Sequence, residues 1–156
     1  MKNNILFLAV ILLMSFVSCS HGDSDNDTEI FDNTESSSFK IPSSLVGYSM
    51  KMDLYEEIYN FNSSGSCSYS GSIGTLVGTP SYKYSKLSSN AASFLLKYEE
   101  KNGTGITQSY TYYTENLTLT LTSKCEGTYS GVMTMKFTGF LSGTKTSTVR
   151  GKFTLE

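Results

Sequence analysis

The chain has one histidine, two prolines, three cysteines and no tryptophan in 156 residues. Its only histidine, His21, lies in a polar acidic stretch near the amino terminus, so the rest of the chain holds no Ser-His or Cys-His catalytic pair. A conventional zinc site is likewise left without its usual ligands. No apolar run reaches the ~20 residues that a membrane-spanning helix needs. Nor is there the concentrated basic stripe of a nucleic-acid binder. No internal repeat, cofactor motif or metal-ligand spacing is present.

The charge that does exist is unevenly placed. From Ser20 to Lys40 six acids (Asp23, Asp25, Asp27, Glu29, Asp32, Glu35) face one base, a net of −5, whereas residues 41–156 carry ten bases and eight acids, a net of +2. The acidic stretch can bury little apolar surface and its charges repel one another, so it reads as an extended tether. Beyond the tether lies one ordinary domain of 116 residues, large enough for its own core.

Ahead of the tether, Lys2 precedes the 13-residue run ILFLAVILLMSFV, from Ile5 to Val17. That run has the length of a signal-peptide core. Phe16-Val17-Ser18-Cys19 closes it, and this tetrapeptide resembles the lipobox of bacterial lipoproteins, with phenylalanine where leucine is usual. The resemblance implies cleavage before Cys19 and acylation of that residue. Residues 1–18 would be discarded, 19–40 would be the lipidated cysteine with its tether, and 41–156 would be the folded domain. More than one acyl chain, at ~0.8 kcal/mol per buried methylene, holds a protein stably on a membrane. The acidic run after the cysteine is similar to export signals of Gram-negative lipoproteins, implying an outer-membrane, surface-exposed location.

Within the domain the hydrophobic period is two. Leu117, Leu119, Leu121 and Cys125 alternate with threonines, Tyr48, Met50, Met52 and Leu54 with Ser49, Lys51 and Asp53, Met133, Met135 and Phe137 with Thr134 and Lys136, and Val149, Gly151, Phe153 and Leu155 with Arg150, Lys152 and Thr154. Such alternation marks strands with one wet and one buried face. Turn signals fall between them at Ser63 to Gly65, Lys101 to Gly103 and Ser142 to Lys145. Pro42 and Pro80 each stand just before a strand, where a missing donor costs least. LYEEIYNF offers a weak helical spacing, but NSSG comes at once after it and favours a hairpin. Eight or nine strands joined by short loops, without crossover helices, predict an all-β, up-and-down antiparallel barrel. A β-sandwich is the alternative.

The segments LVGYSMKMDL, EIYNFNSSGSCSYS, SYKYSKLSSNAASFLL, LTLTLTSKCEGTYSGV and VRGKFTLE together resemble small bacterial lipocalin-like β-barrel domains. Where lipocalins place a tryptophan after the opening glycine, this chain has Tyr48 after Gly47.

Side chains with chemistry are few. Asp53 is expected to point outward, and Glu99, Glu100, Glu115 and Glu126 to lie at strand ends or turns as solvated charges, so no catalytic residues are assigned and an enzyme is not expected. Alternation places Cys67 and Cys125 on inward faces. With Cys19 acylated they form an even pair in an oxidising compartment, either bridged, which would stabilise by roughly 4 kcal/mol, or two separate buried thiols. Tyr48, Tyr82, Tyr84, Tyr98, Tyr110 and Tyr112 are expected inside, either filling the core or lining a ligand cavity. SGSIGTLVGTP, with Gly71, Gly74 and Gly78, precedes no helix and so is not a phosphate loop. It reads as a connecting loop and, with Ser63 to Gly65, as a candidate interaction loop. Three functions are compatible with these features: a non-enzymatic, membrane-anchored binding module for a small molecule, glycan or protein, a protease inhibitor or immunity protein acting through a glycine loop, and a structural envelope component.

Overall fold

The computed structural model describes residues 39–54, 56–71, 75–139 and 142–156. Nine strands succeed one another: β1 (Ser49–Met52), β2 (Glu57–Ser63), β3 (Ser66–Ser70), β4 (Thr75–Leu76), β5 (Ser81–Lys86), β6 (Ala91–Asn102), β7 (Ser109–Leu121), β8 (Glu126–Thr138) and β9 (Gly143–Leu155). Every pairing is antiparallel, and apart from the two-residue β4 each strand pairs with its predecessor and successor. β1 pairs with β9 and closes the ring, so the domain is an eight-stranded up-and-down barrel. Closure leaves no long edge exposed for pairing with other chains. β4 pairs with β6 beyond the end of β5, so the two short strands together line one edge of β6.

Alternation dictates the wall. Along β7, Leu117, Leu119 and Leu121 are buried while Thr118 is exposed. β2 is a strand, with Glu57, Tyr59 and Phe61 inside. Its hairpin to β3 turns on Gly65, whose φ of +87° suits glycine. Two expectations need adjustment. Leu54 does not continue the buried face of β1, because the strand ends at Met52 and the turn leaves Leu54 exposed. The last hairpin turn precedes Gly143 instead of spanning residues 142–145, since β9 already pairs at Gly143 with Phe137.

The two ends of the barrel differ. At the end formed by the β2–β3, β5–β6 and β7–β8 turns, residues 39–48 run across the opening and bury Ile41 and Leu45 at 1 % exposure each. Backbone bonds from Ile41 to Ser89 (2.7 Å) and from Gly47 to Phe61 (2.8 Å) hold this segment, and the Tyr84 hydroxyl donates to the Pro42 carbonyl at 2.6 Å. Beneath it pack Phe61, Tyr82 and Phe94, with Phe61 edge-on to both neighbours at 4.8 and 6.0 Å. At the opposite end no such segment crosses among the described residues, and the described turn residues 53, 54, 56, 103–107, 139 and 142 are exposed.

Candidate functional site

The half of the barrel away from the closed end is polar inside, which the alternation of β6 and β7 explains. Inward positions on β6 run Phe94, Leu96, Tyr98, Glu100, and those on β7 run Leu119, Leu117, Glu115, Tyr113, Thr111. The register sets Leu96 opposite Glu115, Tyr98 opposite Tyr113 and Glu100 opposite Thr111. Glu115 therefore lies deep, and Glu100 two residues along β6 nearer the turns than Tyr98. From β2, Glu57 and Tyr59 join them side by side on the inward face.

Glu57, Glu100 and Glu115 are 2 %, 1 % and 5 % exposed. This corrects the expectation that Glu100 and Glu115 are solvated at strand ends: both sit inside long strands, on the face already marked by leucines. Tyr59 donates to Glu57 Oε2 at 2.8 Å, Tyr69 to Glu57 Oε1 at 3.3 Å and Tyr98 to Glu115 Oε1 at 3.1 Å. The rings of Tyr69, Tyr98 and Tyr113 form a continuous stack, with centroids 5.8 and 4.5 Å apart, and Tyr59 tilts against Tyr69 at 5.2 Å. Asp53 is exposed at the β1–β2 turn and accepts from the Tyr129 hydroxyl at 3.2 Å.

Among the described residues no positive charge answers these acids: no lysine or arginine is buried, and Lys101 alone is even half-buried, on the outward face of β6. Burial pushes the Glu115 carboxyl up to about 7, helped by the charge of Glu57 and opposed by the Tyr98 hydrogen bond. Glu57 is raised by burial, against its two tyrosine donors. Glu100 is raised by burial and then by Glu57, and the nearby Tyr113 hydroxyl eases it in part. Even so, neither oxygen of Glu100 closes a hydrogen bond of good geometry. Tyr59, Tyr69 and Tyr98 are raised by burial first and by the neighbouring carboxylates second. The arrangement can store protons or accept a cation.

Of the tyrosines expected inside, Tyr82 and Tyr98 are buried, and Tyr48 and Tyr84 are partly buried against the core. Tyr110 and Tyr112 are corrected. They occupy the even positions of β7, opposite in parity to its leucines, so Tyr112 is 42 % exposed and Tyr110, half-buried, accepts a hydrogen bond from Gln108. Tyr69 is inside, on the face that alternation shares with Cys67, and Tyr59 and Tyr113 are further interior tyrosines that no expectation covers. Carrying the leucine alternation of β7 back four residues finds Tyr113, and Glu115 on the way.

Of the two alternatives for Cys67 and Cys125, the bridge between them does not form: Cys67 is a free buried thiol, its pKa pushed up to about 11 by burial. Three strands (β2, β1 and β9) separate β3 from β8, whose preceding turn holds Cys125. At ~4.8 Å per strand that distance far exceeds the reach of a disulfide. Gly71 and Gly78 are exposed in the connections between β3 and β5, and Gly78 has a φ of +75°. Cys19 and Gly74 lie outside the described residues.

Hollows lined by described residues lie on the outer surface. A groove of about 940 Å³ between Ser43–Leu45 and strands β5 and β6 is lined mainly by serines, with Lys83 and Lys97, away from the carboxylates. A second, of about 350 Å³, runs along the narrow β3–β5 seam beside Cys67, Tyr69 and Leu76. Among the described residues, no three acidic, histidine or cysteine side chains are grouped so as to hold a metal ion. Comparison with known protein families, curated proteins and solved structures finds no match.

Proposed function

We propose that the protein is a non-enzymatic binding module, anchored by lipid at Cys19 on the outer membrane and exposed at the cell surface, which takes a small molecule at the polar end of a lipocalin-like barrel. The observation that carries this reading is the division of the barrel interior. One end is sealed by the chain's own residues 39–48, while the other holds buried carboxylates and stacked tyrosines that a stability-driven core would replace with apolar side chains. Polar groups of this kind, set among aromatic rings, are the usual means of orienting a bound small molecule.

Anchoring rests on the sequence through Cys19. It agrees with the chain entering the barrel at its sealed end, which leaves the polar end free of the tether's attachment. Two measurements test the reading. Metabolic labelling with an alkyne fatty acid should tag the wild type and not Cys19→Ala, and equal labelling of both would remove the anchor. Native mass spectrometry of the full chain purified from its own cells should reveal a small-molecule adduct that is lost in Glu115→Leu, whereas an adduct indifferent to that change would move binding elsewhere.

A further inference from the structure

Glu100 is the one member of the acidic cluster whose side-chain oxygens, though buried, close no hydrogen bond of good geometry. A carboxylate in that position is costly unless it holds a proton or meets a positive charge. Among the described residues no lysine or arginine is buried to supply such a charge. Three features suit a charge brought from outside. Glu100 is the inward carboxylate of β6 on the side of the exposed β6–β7 turn. The Tyr113 hydroxyl beside Glu100 offsets its burial only in part, Tyr69 feels its charge, and both rings belong to the stack with Tyr98, whose π-faces attract cations. Glu57 and Glu115 add negative potential at the same tyrosines. The carboxylates are not grouped as metal ligands, which favours an organic cation over a metal ion.

We infer that the polar end binds an organic ammonium carried on a small apolar or aromatic body, with Glu100 as its ion-pair partner and the tyrosine stack as its wall. This rests on the reading of the polar end as a binding site and adds the charge and class of the ligand. The decisive probes are phenethylamine and its neutral isostere 2-phenylethanol, titrated calorimetrically into the full chain at about pH 7.5. The wild type should bind the amine at least about tenfold more tightly than the alcohol. Glu100→Gln should erase that difference by weakening the amine and sparing the alcohol. Near-ultraviolet circular dichroism of the stacked tyrosines verifies the fold, and Glu57→Gln serves in its place if Glu100→Gln does not fold. Equal affinity for the two probes, unmoved by the variant, would overturn the cation while leaving the polar end a binding site. Absence of binding by either, with tyrosine ring resonances unshifted at millimolar probe, would overturn both.

Discussion

The two halves of this barrel are made from the same strands and the same alternation, yet one is stabilised by what it hides and the other hides what it would be more stable without. Near residues 39–48 the inward positions carry Phe61, Phe94, Leu117, Leu119 and Leu121, and each contributes by leaving water. Two to six residues farther along the same strands the inward positions carry Glu57, Glu100 and Glu115. The wall continues unbroken through both halves, with β6 and β7 paired from Ala91 opposite Thr120 to Asn102 opposite Ser109. Backbone pairing therefore sets the architecture, and side-chain identity alone decides which half is a core and which a site.

The largest effect that separates the halves should come from truncation in the apolar one. Phe94→Ala, which empties the centre of the Phe61–Tyr82–Phe94 cluster, is expected to cost about 3–5 kcal/mol in urea unfolding, equally at pH 5 and pH 8. A strong pH dependence of that loss would show that the halves are coupled.

Next comes the proton linkage of the polar half. Glu115 has its folded pKa raised from 4.5 to about 7, so the native state holds the proton more tightly than the unfolded chain. Stability from this group is fully present below about pH 4.5 and is lost as pH rises through about 7, by roughly 3 kcal/mol, with Glu57 and Glu100 acting in the same direction. Glu115→Gln should flatten the profile of unfolding free energy between pH 5 and pH 8. A wild-type profile that rises with pH would contradict the burial of these acids without a cation.

The smallest expected effect concerns the seal. Tyr84→Phe removes the hydroxyl that donates to Pro42 and should cost about 1 kcal/mol. Hydrogen exchange should accelerate at the Ile41 amide and leave the amides of β7 unchanged. Uniform acceleration would mean that the seal does not open on its own.

The same contrast explains how much of the molecule was legible in the sequence. Strict alternation such as LTLTLT reports the strand and its inner face directly, and the short turns report antiparallel neighbours, so the barrel could be read. Glu115 could not be read so easily, because carboxylates are rarely buried and that general expectation outweighed the parity of Leu117, two residues away. Tyr110 and Tyr112 failed for the complementary reason: aromatic character suggested an interior that their parity denies. The sealing segment carries no period, since Ile41 and Leu45 are placed by tertiary contacts with the β5–β6 turn and β2. The separation of Cys67 from Cys125 depends on strand order around the ring, which no local pattern encodes.

The seal also has a mechanical meaning. A pull transmitted along the chain from before Phe39 arrives first at the Ile41–Ser89 and Tyr84–Pro42 bonds, which lie across an end of the barrel and not along its ladders. Such a load would peel residues 39–48 away one contact at a time before any strand pair was sheared, so the segment acts as a fuse that yields while β6 to β9 keep their register.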